Sequence, residues 1–170
     1  IGTAAFSDML AGAYAMDKHI RESDFDKNIG VIMGLLRVWH RSYLNAASYG
    51  LMPYDQRLAR LPAWAQQLEM ESNGKRVDRH GKPLFRPAGP LIWGEPGTNS
   101  QHSFFQWLHQ GVEVVPVDIL VAMQPAEGLA DKKWKASHQM LAINAVAQAE
   151  ALALGSENIK EPHRHFPGNR

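Results

Sequence analysis

The chain has 170 residues, with 18 Lys plus Arg against 17 Asp plus Glu and a formal net charge of +1. That balance gives no electrostatic reason for a nucleic-acid groove or an anionic membrane as partner. Cysteine is absent, which excludes disulfides, thiolate zinc sites and a thiol nucleophile. Apolar residues at 45% and charged residues at 21% fit one domain, or the large part of one, with a packed core. No apolar run reaches the roughly 18–20 residues that span a bilayer. The start, Ile1 to Leu10, has no basic region ahead of an apolar one, so it does not read as a signal peptide. It also lacks an initiator Met, so Ile1 need not be a natural start.

Phe6, Met9, Leu10, Ala13, Met16 and Ile20 recur at three- and four-residue steps and predict a first helix. A second spans about 28–44, with Ile32, Leu35, Leu36, Trp39 and Tyr43 as its stripe. Residues 46–54 read as β-like or loop, ended by Pro53. Helical spacing returns over 57–70 through Leu61, Trp64, Ala65 and Leu68, with Pro62 near the start, where proline is tolerated. Ser72-Asn73-Gly74-Lys75 is a turn signal, and 78–90 is a polar, Gly- and Pro-rich loop. Leu91-Ile92-Trp93 suits a short buried strand. A loop over 94–100 follows, with Thr98, Asn99 and Ser100 as N-cap candidates. The next helix turns Phe104, Phe105 and Leu108 inward and stops at Gly111. The β-branched run over 112–123 predicts the strongest strand, buried on both faces. After a loop over 124–131, a long helix over 133–154 lines up Trp134, His138, Leu141, Ala145, Gln148 and Leu152. The tail from Gly155 is polar and loop-like. The strand–helix alternation predicts an α/β fold, with a mainly parallel sheet between helices in three layers. Ligands of such sheets bind beyond the carboxyl ends of the strands, which singles out the loop after Trp93.

Glu71 places a carboxylate at a helix end beside a turn, a position that serves a general base or an ordinary solvated glutamate. Trp93-Gly94-Glu95-Pro96-Gly97-Thr98-Asn99-Ser100-Gln101-His102 carries glycines that admit close backbone approach and a histidine suited to proton transfer near neutral pH. The same residues also suit a tight strand-to-helix turn with a capping histidine. The eight histidines form no metal pattern: His163 and His165 sit in the tail, and His102 and His109 lie two turns apart on one helix face. No phosphate-cradling glycine motif predicts a nucleotide site. Trp39, Tyr43, Trp64, Trp107 and Trp134 fall at helical spacing, as core residues do.

Met70-Glu71-Ser72-Asn73-Gly74-Lys75, followed by the segment from Trp93 to His102, resembles the glucose-6-phosphate isomerases. Leu10-Ala11-Gly12-Ala13 with Met16-Asp17, Pro53-Tyr54-Asp55-Gln56, the stretch 106–111 and Gly168-Asn169-Arg170 support the likeness, which covers essentially the whole chain. Ser100 stands where the family often has Gly, and 81–88 is individual. The resemblance implies a sugar-isomerase type of α/β domain over 46–155, a helical lead-in over 1–45 and a tail over 156–170. It implies interconversion of glucose 6-phosphate and fructose 6-phosphate through a cis-enediol, with no metal or organic cofactor. Glu71 would move the proton between C1 and C2, His102 would help open the ring, and Gln67 would contact the sugar. Gln67 lies four residues before Glu71 on one helix face. The resemblance further implies a cytoplasmic homodimer with active sites shared across the interface. It also puts the phosphate-binding Ser/Thr loop, an enediolate-steadying arginine and a late lysine outside these residues. The chain alone would then be inactive. The alternatives are a sugar-phosphate-binding module and an inert fragment.

Overall fold

The structure, a computed structural model, describes residues 2–125, 132–157 and 160–169. Most of the loop expected over 124–131, and Arg170, lie outside the described residues. Two compact units are present, Ile1–Leu44 and Asn45–Arg170.

The first unit holds helix α1 (Gly2–Glu22) and helix α2 (Ile29–Val38), which runs into a π-helical turn, Trp39–Tyr43. Asn28 joins them. Its Oδ1 accepts from the Val31 N–H at 3.2 Å, capping α2, while its Nδ2 donates to the Ile20 carbonyl at 2.8 Å. The residue is only 1% exposed, and both amide ends are satisfied, as burial demands. The apolar stripes expected to face a core do not do so: Phe6, Met9, Leu10, Met16 and Ile20 on α1, and Ile32, Leu35 and Leu36 on α2, are exposed.

The second unit is a parallel three-stranded sheet with helices packed on it, in the order β2–β1–β3, where β1 is Ser48–Pro53, β2 Leu91–Trp93 and β3 Val117–Leu120. The segment read as β-like or loop is thus the central strand. Ser48 pairs with Leu91 and Gly50 with Trp93 on one side, and Gly50 with Val117 and Pro53 with Leu120 on the other. The expected strand over 112–123 is only four residues long and lies at the edge, all four half-buried. Val112 is 99% exposed, and Pro116, lacking an N–H, gives only its carbonyl, to the Gly50 N–H at 2.9 Å. The helix expected over 57–70 divides into a 3₁₀ turn (Gln56–Leu58), helix α3 (Leu61–Gln66) with a buried Pro62 in its first turn, and a π-helical turn (Gln67–Glu71).

Met52 and Tyr54, two residues apart and so on one face of the sheet, close a core with Phe105, Leu108, Val115, Ala145 and Leu152. These come from helix α5 (Phe105–Gln110), the approach to β3, and helix α6 (Lys132–Leu154). Trp93 meets this core edge-on against Phe104 at 4.7 Å and against Trp107 at 6.0 Å. Helix α3 packs on β2 and β1. Trp39, Tyr43, Trp64, Trp107 and Trp134, read as core, are all exposed in this chain.

The tail is polar yet tied down. Ser156 and Phe166 exchange both backbone hydrogen bonds. The Asn169 amide caps the Val115 peptide at both ends: Oδ1 accepts from the Val115 N–H at 2.8 Å, and Nδ2 donates to the Val115 carbonyl. Among the described residues no helix is long and apolar enough to cross a membrane.

Candidate functional site

Gln67 and Glu71 open and close the π-helical turn that ends α3. In an α-helix, residues four apart are offset around the axis. Bonding to the fifth residue widens the turn and brings such a pair closer to alignment. Neighbouring Gln66 anchors the turn to the sheet, its Nε2 donating to the Ile92 carbonyl on β2 at 2.9 Å. Beyond it, Lys75 Nζ donates to the Glu71 main-chain carbonyl at 2.6 Å. The side chains of Gln67 and Glu71 are exposed, with no hydrogen-bond partner among the described residues.

His102 lies on helix α4 (Gly97–Ser103), which leaves the carboxyl end of β2. The expected N-cap is absent. The helix begins one residue before Thr98, Pro96 holds the cap position without a side-chain bond, and Ser100 is buried inside the helix with Oγ donating to the Gly97 carbonyl at 2.6 Å. Nor do His102 and His109 share a helix. Phe104 (φ −145°, ψ 2°) breaks the chain between α4 and α5, and His109 turns to Gln148 Oε1 at 3.1 Å on α6. The His102 side chain is exposed and makes no hydrogen bond among the described residues, so no such bond links it to Gln67 or Glu71.

What fixes α4 was not visible from the motifs. Gly94 (φ +152°) lies against β1 so closely that a Cβ there would stand 1.9 Å from the Leu51 carbonyl oxygen. Gly97 lies flat on the Tyr54 ring, where a Cβ would stand 2.2 Å from Tyr54 Cγ. Gln101 Nε2 donates to the Tyr54 hydroxyl at 2.8 Å. Burial pushes the Tyr54 phenol above the ordinary tyrosine range, and the Gln101 hydrogen bond pulls the other way. The Pro53-Tyr54-Asp55-Gln56 motif was the available signal, but the partner of Tyr54 lies 47 residues away.

A half-open cavity of about 250 Å³ lies beyond the carboxyl ends of β1 and β3. Tyr54, Asp55 and Arg57 form one wall, and Trp134, His138 and Leu141 of α6 the other. It contains none of Gln67, Glu71 and His102. Arg57 clamps Asp55 through Nε at 3.0 Å and Nη2 at 2.6 Å. These bonds hold the Asp55 carboxyl below the usual carboxylate range, with His138 adding a smaller pull.

The phosphoglucose isomerase family model matches residues 1–170. The glucose-6-phosphate isomerase of Xanthobacter autotrophicus is 47% identical over 188 aligned positions, which take in all of this chain and 34% of that protein. That of Brucella anthropi is 46% identical over the same shares. Among solved structures, a glucose-6-phosphate isomerase from Chlamydia trachomatis superposes with a TM-score of 0.89 at 40% identity, over 98% of this chain and 32% of its own. A hypothetical protein from Thermus thermophilus superposes with a TM-score of 0.66 at 26% identity, over 85% and 35%. The chain thus spans about a third of the length of the curated relatives it matches. With the family matched from first residue to last and the fold shared with a solved relative, this chain belongs to the phosphoglucose isomerase family.

Proposed function

We propose that the chain carries the proton-transferring base of an aldose–ketose isomerase that interconverts glucose 6-phosphate and fructose 6-phosphate. The observation that carries this reading is the π-helical turn that brings Gln67 and Glu71 toward one line, with both side chains exposed and without a hydrogen-bond partner among the described residues. Such turns concentrate at functional sites. Gln67 holds a sugar hydroxyl and Glu71 faces the carbons that exchange the proton.

His102 donates a proton to the ring oxygen, the anomeric hydroxyl gives its proton to water, and the C1–O5 bond breaks. In the open aldose the C1 carbonyl acidifies the C2 hydrogen. Glu71 removes it, the electron pair forms the C1–C2 double bond, the carbonyl electrons move to O1, and O1 takes a proton from water to give the enediol. The same carboxyl then returns its proton to C1 as the O2 hydroxyl gives its proton to water and becomes the carbonyl. Reach matters first and pKa second for such a base. In this reading the protein is a cytoplasmic homodimer in which His102 of one subunit serves its partner's site. The phosphate-binding loop, the enediolate arginine and the late lysine lie outside these residues, so the 170-residue chain alone is inactive. Loss of oriented electrostatic stabilisation by itself costs about 100- to 1000-fold.

The test is Glu71→Gln in the full-length protein, assayed on fructose 6-phosphate with a coupled dehydrogenase. Turnover falls by about 10²- to 10⁴-fold, sugar-phosphate binding persists, and solvent deuterium no longer enters C1 or C2. Near-normal turnover overturns the assignment.

A further inference from the structure

We infer that Tyr54 and Gln101 are a positioning pair that sets the stance of His102, an inference that rests on the ring-opening role proposed above. Helix α4 has seven residues and no side-chain cap. A helix that short has no stability of its own, so its direction comes from what it touches. Tyr54 is the fixed element. It is 1% exposed, its N–H donates to the Leu120 carbonyl at 2.7 Å, and its ring belongs to the core. Against that ring α4 is held twice, by Gly97 on the face of the ring and by Gln101 Nε2 on the hydroxyl. One contact fixes the distance of the helix from β1. The other, one turn along, fixes its rotation.

His102 follows Gln101 directly, and its side chain makes no hydrogen bond among the described residues. Its direction is therefore inherited from the backbone that Gln101 pins. Without the hydroxyl, the ring and core packing remain and only the rotational constraint is lost.

The experiment is a double-mutant cycle in the full-length protein with Tyr54→Phe, Gln101→Met, His102→Ala and the two pairwise combinations with His102→Ala. The readouts are isomerase kcat and KM, the rate of glucose 6-phosphate anomer exchange by NMR, and the unfolding midpoint. Tyr54→Phe and Gln101→Met each lower kcat and anomer exchange together, by about 10-fold, a size that fits sub-ångström misplacement. KM moves little, and neither change has a further effect once His102 is Ala. If the 10-fold losses persist in the His102→Ala background, the pair acts on the fold at large and the inference is overturned. If His102→Ala leaves kcat and anomer exchange unchanged, the ring-opening role itself falls. Gln101→Met approaches the bond from its half-buried side, so the inference can still be refuted if Tyr54→Phe does not fold.

Discussion

Replacing Gly97 by Ala tests the junction between β1 and α4 most sharply. The new methyl would stand 2.2 Å from Tyr54 Cγ and 2.4 Å from Cδ1 and Cδ2. Carbon atoms attract at about 3.5–4.0 Å, so helix and ring must part by more than about 1 Å. The ring cannot retreat, because Met52, Phe105 and Leu108 share its core. The helix must move instead. A shift of that size takes the Gln101–Tyr54 bond from 2.8 Å beyond hydrogen-bonding range. Overpacking of this kind costs about 1–3 kcal/mol, and a lost hydrogen bond about 0.5–1.5 kcal/mol. The sum, about 1.5–4.5 kcal/mol, is read as a lower denaturant midpoint at unchanged slope. The same shift displaces His102, and a misplacement near 1 Å costs about 100-fold in rate. Full-length Gly97→Ala with a wild-type midpoint and wild-type kcat refutes the reasoning, because the alanine would then have been accommodated without moving the helix.

Two further outcomes follow from the tail and the cavity wall. Asn169→Ala leaves both polar groups of the Val115 peptide without their amide partner. It destabilises the full-length protein by about 1–3 kcal/mol and speeds hydrogen exchange at the Val115 amide. An unchanged exchange rate there contradicts the clamp. Arg57 holds the Asp55 carboxyl below its ordinary value. The stability this contributes is present in full above the unfolded value of about 3.9 and is lost as pH falls through the lower folded value. Carboxyl NMR titration should show an Asp55 midpoint below about 3.9, rising on Arg57→Leu. The Arg57 side chain is exposed, so the effect on overall stability is small.

Local pattern carried much of the fold. Apolar spacing locates the runs that form β2 and α6 and points to the parallel, helix-flanked architecture. The central strand was hard to see because Ser48-Tyr49-Gly50-Leu51-Met52-Pro53 is neither alternating nor β-branched. Its place depends on neighbours 43 and 67 residues away in sequence. The β-branched run over 112–123 misled in the opposite sense. Pro116 and the Asn169 clamp keep its first half out of the ladder. The stripes on α1 and α2 predicted helices correctly but not burial, since periodicity reports which face is apolar and not what covers it. At the site, motifs point to Gln67, Glu71 and His102. They do not point to the Tyr54–Gln101 bond, because a pair that distant leaves no periodic trace.

Relative to an α-helix, the π-helical turn from Gln67 to Glu71 holds a surplus residue. Each residue of a helix advances the chain about 100° around the axis. Deleting one residue between Gln67 and Glu71 would let the helix close with α geometry and leave the carboxylate near its present side as counted from Gln66, while the alignment of Gln67 with Glu71 would be lost. No partner of the Glu71 side chain among the described residues corrects its direction. What the surplus residue holds is thus the alignment of Gln67 with Glu71, counted from the anchored Gln66, rather than the side of the helix that carries the carboxylate.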